Sequence, residues 1–443
     1  MIGIVILAAG NGSRLNSRIP KPLVPLLGTP MIGHIVAKIP PLMPVYIIIN
    51  PQHTATFSAL FPNATLLPQD NPKGTGHALT ENIRALQNLS HMIILNADTP
   101  LIPAAIFNTL SKDTRDNILV GFESNKAETY GQLKISGSSV VGIVEARDRQ
   151  ATGQHHSNLY YSGVMKISRP YLTMLQSIAP SSVTGEYYLT ALASDARPFS
   201  YIQQDRNLFD GINTPEELLK LETTLRTLNT ESLLKKGTVL ADYHSVAISP
   251  NSHIGENCQI GANVTIKNNS RVGNLCVIGQ GTILSNAQIA DGVTLLPYSV
   301  VSDTQIAKGA SIGPFAHLQG NSQVGENSVI GNFVEIKRST IRSGGKAKHL
   351  SYLGDAYIDH HANIGAGVIT CNYVPWKKQK QLTYVGEQAF VGSNCQLIAP
   401  AFIGSFSVSA AGSVITEYVP PYALAVSRAP LFLRGAWRKG ARA

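Results

Sequence analysis

The chain has 443 residues, 44% hydrophobic and only 14% charged, with 38 Gly and 25 Pro, and this length implies two or three domains rather than one core. Its formal charge of +9 is not gathered into a long basic run or interleaved with aromatics, which argues against a nucleic-acid surface. No stretch approaches the ~20 apolar residues of a membrane span, and no basic segment precedes the N-terminal apolar run, so a cytoplasmic protein is expected. Basic clusters at Lys377–Lys380 and Arg434–Arg442 fit phosphorylated small molecules. The cysteines Cys258, Cys276, Cys371 and Cys395 lack CxxC or Cys/His metal spacing, and free thiols are expected.

In chain order, Ile4–Leu7 is a β-branched apolar run suited to a buried parallel strand. It breaks into Ala8, Ala9, Gly10, Asn11, Gly12, Ser13 and Arg14, small residues that let a backbone approach phosphate, with Arg14 and Lys21 supplying charge beyond the turn. An ordinary strand–helix loop would look the same. Further strand-like runs at Val45–Ile49, His91–Leu95, Asn117–Val120 and Val140–Val144 alternate with helix-like segments at Met31–Lys38 and His77–Leu86, the pattern of an α/β layered domain. Asp98 follows the run His91–Leu95, where a carboxylate plus nucleotide phosphates would hold Mg2+ or where an Asp would simply cap a helix. Asn213 in FDGINTPEEL is a second polar candidate, or a helix start.

Taken together, LAAGNGSR…PKPLVPLLGTPM, QDNPKGTGHA, NADTPL, GIVEARD, TGEYYLT and DGINTPEEL resemble a sugar-1-phosphate nucleotidyltransferase. Their order is most similar to the uridylyltransferase half of the bacterial bifunctional N-acetylglucosamine-1-phosphate uridylyltransferase and glucosamine-1-phosphate N-acetyltransferase family. The resemblance implies a Rossmann-like α/β domain over residues 1–214 that binds UTP and N-acetylglucosamine-1-phosphate. Leu7, Ala8, Ala9, Gly10, Gln69, Gly74 and Thr75 would hold the uridine nucleotide, and Arg14 and Lys21 the triphosphate. Asp98 and Asn213 would ligate Mg2+, while Gly131 and Glu145 would line the sugar site. The chain departs from the family pattern at three places: Asn11 stands where a Lys is common, Ala97 where a Gly precedes the metal Asp, and Tyr161–Ser162 where an Asn–Thr pair faces the sugar.

Pro215–Leu234 places Leu at 218, 221, 225 and 228, an amphipathic helix expected to link two domains over 215–236. Beyond it, Ile248, Ile254, Ile260, Ile266, Val272, Ile278 and Leu284 recur every six residues. The register slips by one twice, then resumes from Ile306 to Ile336 and again from Val385 to Ile403. A period of six marks the hexapeptide repeat of a parallel β-helix; the resemblance implies a left-handed one over 237–443, associating as a homotrimer. Two interruptions, RSGGKAKHLSY and VPWKKQKQLT, read as loops thrown out at a functional face.

His349 in the first is a candidate base beside Lys337, Lys346, Lys348 and Tyr352, although most histidines taken singly are structural or solvated. GNFVEIKRSTIRSGGKAKHLSYLGDA and NIGAGVITCNY are similar to the acetyltransferase block of the same family. The resemblance implies that His349 deprotonates the amine of glucosamine-1-phosphate, that Lys337 meets the sugar phosphate, and that Tyr352 and Asn363 hold the sugar. Ala366, Asn372, Tyr373, Ser393, Ala411 and Arg428 would contact acetyl-CoA across neighbouring chains, with Lys377, Lys378 and Lys380 adding charge for its phosphates. Here the chain departs again: Gln319 stands in place of an Arg, preceded by His317, and Pro375–Trp376 replace Asp–Gly. An alternative remains, a nucleotidyltransferase for another sugar-1-phosphate whose β-helix is an altered acyltransferase or a trimerisation scaffold.

Overall fold

The computed structural model describes residues 1–10, 15, 17–125, 129–152 and 157–433. Contacts divide the chain into two compact units, Met1–Leu225 and Arg226–Ala443, and the helix Pro215–Leu234 carries the division within it.

The first unit is built on a mixed sheet in the order Ser200–Gln204, Ile118–Glu123, Leu159–Ser168, His91–Asn96, Ile2–Leu7, Val45–Ile49, Thr65–Pro68. Leu159–Ser168 runs antiparallel to both neighbours, and a β-hairpin, Gln132–Ser136 with Ser139–Val144, pairs beside it. The strands from His91 to Pro68 are parallel. Chain order reverses at Ile2–Leu7: the next strand lies on one side of it and His91–Asn96 on the other. Such a reversal opens a crevice beyond the strand C-termini. Ile4, Ile6, Ile47, Ile49, Ile93 and Leu95 point to one face and are buried with Phe107 and Phe122; Val5, Ile48, Met92 and Ile94 point to the other and pack on Leu79 and Leu86. The expected helix His77–Leu86 is two short helices, Thr75–Glu81 and Ile83–Leu86, because Asn82 turns its amide back onto the carbonyls of Pro68 and Ala78.

Among the described residues the second unit is a parallel β-helix of three sheets with 11, 10 and 9 short strands. Each rung stacks on the next in register, so one inward column reads Ile260, Ile278, Leu295, Ile312, Ile330, Ala347, Ile364, Val391, Ser409. Nearly every inward residue is fully buried. Corners need a left-handed backbone, and Asn257, Asn263, Asn286, Asn327 and Asn394 supply it with φ between 51° and 58°. The one-residue slips fall where a five-residue step leads into the nine-stranded sheet, as at Leu284 to Ile289 and Val301 to Ile306.

One expectation is overturned. RSGGKAKHLSY is not a loop: Lys346–His349 is a strand of the 11-stranded sheet, paired with Val329–Asn332 and Asn363–Ile364. The inward position there is Ala347, too small to register in a search for large aliphatics. The second interruption does leave the coil, as a hairpin of Tyr373–Val374 with Gln379–Lys380 closed by Lys378 at φ 49°.

Candidate active sites

In the first unit two clefts adjoin in the crevice. One, of about 450 Å3, is lined by Leu7, Ala8, Ala9, Gly10, Lys21, Gln69, Gly74, Thr75, Asp98 and Asn213. All of the expected nucleotide and metal residues that are described therefore share it; Arg14 lies outside the described residues. The other, of about 520 Å3, is lined by Gly131, Glu145, Tyr161, Ser162, Thr190 and Tyr188, and shares Leu7, Thr75, Asp98 and Asn213 with the first.

Asp98 is not a helix cap: the next helix, Ala104–Lys112, begins six residues later. It stands at the end of its strand, and its carbonyl accepts from Ile212 N–H at 3.1 Å, which holds the DGIN segment against it. Tyr130 clamps the same segment, its hydroxyl donating to Phe209 O (3.0 Å) and accepting from Gly211 N–H (3.2 Å). Glu217 accepts from the N–H groups of Asn213 (2.5 Å) and Thr214 (3.1 Å), the acid of a capping box at the start of Pro215–Leu234. With its backbone occupied in this way, Asn213 turns its side chain to Lys21, whose ammonium donates to Asn213 Oδ1 at 3.0 Å and to Asp98 Oδ2. Two hard oxygens from distant segments thus converge on one cation.

The nucleotide side is shaped by backbone. Gly74 has φ +113°, and a Cβ there would meet Tyr187 O at 2.6 Å. That contact is part of a seam in which Gly76 N–H donates to Tyr187 O, Tyr187 N–H to Lys73 O, and Leu189 N–H to Thr75 Oγ1. Gln69 is buried beside it, its amide near Gly74 O and His77 Nδ1, both at 3.4 Å. On the sugar side, burial pushes the Glu145 carboxyl above its ordinary range, partly offset by the Thr190 hydroxyl, which donates to it at 2.5 Å. A register shift between Tyr161 and Val164 marks a β-bulge at Ser162–Gly163, and Gly163 has φ +87°. The bulge turns Tyr161 into this cleft, where burial raises its phenol well above the ordinary value.

In the second unit the expected residues fall on two edges of the prism. Along the first, Leu350 N–H donates to Asn332 O, Gly367 N–H to His349 O, Asn394 N–H to Ala366 O and Gly412 N–H to Ser393 O, and the Arg428 guanidinium reaches Ala411 O at 2.8 Å. His349, Ala366, Ser393, Ala411 and Arg428 therefore form one column. The side chain of Asn332, one rung before His349, lies with Oδ1 2.9 Å from His349 Nδ1, and earlier rungs of this edge carry the stacked rings of Tyr298, Phe315 and Phe333. Asn363 stands on the adjoining sheet face, between Lys346 and Phe390. The next edge carries Gln319, Lys337 and Gly354 in register. The Tyr352 hydroxyl lies over Gly354, where a Cβ would approach it to 2.4 Å. Asp355 accepts two hydrogen bonds from Arg338 (2.7 and 2.9 Å) and one from Asn372 (2.5 Å). Gln319 donates to Glu335 at 2.9 Å. Tyr373 and Trp376 are exposed on the projecting hairpin with Lys377, Lys378 and Lys380. Within one chain the structure does not bring the two edges together.

Residues 4–158 match the MobA-like NTP transferase domain, and residues 251–286 and 303–338 match the bacterial transferase hexapeptide. The chain is 35% identical to the bifunctional protein GlmU of Acidithiobacillus ferrooxidans, covering 99% of this chain and 98% of that protein. It is also 35% identical to GlmU of Thermodesulfovibrio yellowstonii (96% of each) and of Francisella philomiragia (97% and 96%). The chain belongs to the GlmU family. It is an enzyme with two transferase halves, a nucleotidyltransferase and a hexapeptide acyltransferase. Tyr130, Arg147 and Glu186 also line these clefts and were not singled out from the sequence; Arg147 and Glu186 line both clefts and pair at 3.1 Å. The signal for Arg147 and Glu186 lay inside GIVEARD and TGEYY, of which only Glu145 was singled out, whereas neither motif holds Tyr130. Among the described residues no helix is long and apolar enough to cross a membrane.

Proposed function

We propose that the second unit N-acetylates glucosamine-1-phosphate with acetyl-CoA, and that the first transfers UMP from UTP to the N-acetylglucosamine-1-phosphate so formed, releasing pyrophosphate. The observation that carries this reading is the meeting of the two clefts at Asp98, Lys21 and Asn213. A nucleotide in one and a sugar phosphate in the other would place their phosphates at that shared wall. Asp98 and Asn213 offer a carboxylate and an amide oxygen that already converge on a cation, a donor set that fits Mg2+. When bound there, Mg2+ would neutralise phosphate charge. The protein's own part is positioning: the small residues Ala8–Gly10 admit close approach of the nucleotide, Gln69 faces its base, Lys21 supplies fixed charge, and Glu145 accepts from a sugar hydroxyl.

In the second unit, Asn332 Oδ1 facing His349 Nδ1 favours the tautomer that leaves Nε2 free as base. His349 would take a proton from the substrate amine as the nitrogen bonds the thioester carbonyl and the thiol of the coenzyme leaves. Because Lys337, Tyr352 and Asn372 occupy a different edge from His349 and Arg428, a homotrimer that lays the two edges side by side would complete the site. Cytoplasmic residence fits four cysteines that all remain free.

The test is paired assays on the full chain: pyrophosphate release from UTP with N-acetylglucosamine-1-phosphate, and thiol release from acetyl-CoA with glucosamine-1-phosphate. Asp98→Ala should abolish the first alone and His349→Ala the second alone. Loss of neither activity in its matching variant would sink the assignment, and sedimentation as a monomer would remove the shared site.

A further inference from the structure

Two residues at the end of the short helix Met31–Val36 tie down the segments that carry Lys21 and Asp98. His34 is 2% exposed, and its Nε2–H donates at 2.7 Å to the carbonyl of Leu26, five residues beyond Lys21. Lys38 comes four residues after His34, where the chain is still coiled, its own N–H donating to Ile35 O at 3.0 Å. Residues four apart on a coil face the same way. The Lys38 ammonium donates at 2.8 Å to the carbonyl of Pro100, two residues beyond Asp98. One helix end thus reaches the segments of both charges that meet in the crevice.

The bond from Lys38 is unusual at both ends. Pro100 is buried, in the turn between the strand His91–Asn96 and the helix Ala104–Lys112. Among the described residues no backbone N–H reaches its carbonyl, so Lys38 satisfies an acceptor that would otherwise be buried unpaired. The ammonium has no carboxylate partner among the described residues; burial lowers its pKa from 10.5 to about 8, and it remains charged at neutral pH. A buried charge held by a single carbonyl is a costly arrangement, and such arrangements concentrate at functional sites. The turn has two other long-range hydrogen bonds, Ala97 N–H to Leu7 O and Ile212 N–H to Asp98 O, and both lie at or before Asp98. Lys38 supplies the one beyond it.

We propose that Lys38 is a positioning residue for nucleotidyl transfer: by holding Pro100 O it fixes the turn that aims the Asp98 carboxylate at the cation shared with Asn213. The inference rests on the reading of Asp98 as a metal ligand and adds what keeps that ligand in place. Lys38 lines neither cleft and touches no reacting group. Asp98 is not among the groups that perturb the lysine, so the tie works through the turn rather than through space. A carboxylate displaced by about 1 Å can cost on the order of a hundredfold in rate, which gives a residue outside the clefts its leverage.

Two readouts on the full chain test this: pyrophosphate release from UTP with N-acetylglucosamine-1-phosphate, and binding of Mn2+ alone followed by electron paramagnetic resonance. Lys38→Met keeps the length of the side chain and removes its donor. It should lower kcat ~10–100-fold with KM for both substrates within about twofold, and weaken Mn2+ binding about tenfold. Lys38→Arg restores a charged donor and should recover most of both losses, while acetyl transfer by the second unit is unchanged in either variant. A folded Lys38→Met chain with kcat and Mn2+ affinity within about twofold of wild type overturns the proposal. So does a Lys38→Arg chain as impaired as Lys38→Met, because the restored donor would then not matter. Tighter Mn2+ binding in Lys38→Met overturns it as well, since the lysine would be acting by its charge. Where a circular-dichroism melt shows the Met variant unfolded, Lys38→Gln takes its place under the same criteria. Asp98→Ala, run beside these, separates the two readings: unchanged Mn2+ affinity there sinks Asp98 as the metal ligand, whereas weakened binding there with a native Lys38→Met chain sinks only the role of Lys38.

Discussion

Replacing Gln319 by Arg probes the acetyl-acceptor site most directly, because it returns the cation at the family's phosphate position. In the structure Gln319 donates to Glu335 Oε1 at 2.9 Å and stands in register with Lys337 one rung on. An Arg there would keep Glu335 as a partner, but a partly exposed pair of this kind is worth only ~0–1 kcal/mol, so the guanidinium remains available. A charged contact to phosphate contributes ~1.5–3 kcal/mol, against ~0.5–1.5 kcal/mol for the neutral amide. Repulsion from Lys337 at about one rung spacing, ~1 kcal/mol in water, is present with and without substrate and drops out of KM. The net gain is ~1–1.5 kcal/mol, so KM for glucosamine-1-phosphate should fall roughly five- to twelvefold with kcat little changed. The assay is thiol release from acetyl-CoA at varied acceptor, with Lys337→Ala as the opposite control, raising KM. A KM unchanged or raised in Gln319→Arg, or unmoved in Lys337→Ala, would refute the placement of the sugar phosphate on this edge.

Other perturbations test separate parts of the chain. His34 is buried with its Nε2 2.7 Å from Leu26 O, and burial lowers its pKa from 6.5 to about 4. The unfolded chain therefore binds a proton that the folded one refuses between pH 6.5 and 4; stability falls as pH drops through that window, by about 3 kcal/mol at ~1.4 kcal/mol per pKa unit. Urea denaturation of wild type against His34→Gln should show that slope only in the wild type. Gly74→Ala must push its Cβ against the Tyr187 backbone at a φ that L-residues avoid. It should cost ~1–3 kcal/mol of stability and raise KM for UTP while leaving acetyl transfer intact. Asn332→Ala removes the partner of His349 Nδ1. The acetyl-transfer kcat should fall ~10–100-fold with KM for both substrates nearly constant, and a matching rise in KM would instead mean that Asn332 touches substrate.

How much of this was legible in the sequence depended on how strictly each position constrains its residue. The hexapeptide period is plain because an inward β-helix position tolerates little besides a large aliphatic, as Ile260 through Leu295 show. It faded where Ala347, Thr370 and Ser409 fill inward positions with small or polar side chains. At Thr370 the hydroxyl is satisfied by Gly354, accepting its N–H at 2.8 Å and donating to its carbonyl at 3.1 Å, a compensation that no period reveals. His349 was therefore read as a loop residue when it ends a strand. In the first unit, the glycine turn and Asp98 could be read from strand-then-break patterns. Tyr130 could not, because its role is a long-range clamp on residues 209–211 that no local pattern carries. The bulge that aims Tyr161 was equally hidden, since it arises from pairing with two strands at once.

Lys21 poses the last question, because in the structure it occupies the oxygens that the proposed metal site needs. Asp98 and Asn213 cannot give Mg2+ their full negative potential while an ammonium is bound to them, so nucleotide binding has to draw Lys21 toward phosphate before or as the ion enters. A unit charge and a divalent ion about 4 Å apart repel by ~2 kcal/mol even in water, and by more in a cleft where Lys21 is only 14% exposed. Lys21→Ala should therefore tighten metal binding to the nucleotide-free chain about thirtyfold or more, read by electron paramagnetic resonance with Mn2+ as the probe, while turnover of UTP collapses. Mn2+ affinity unchanged by the substitution would show that the lysine and the ion do not compete, and Asp98 with Asn213 would lose its claim to be the metal site.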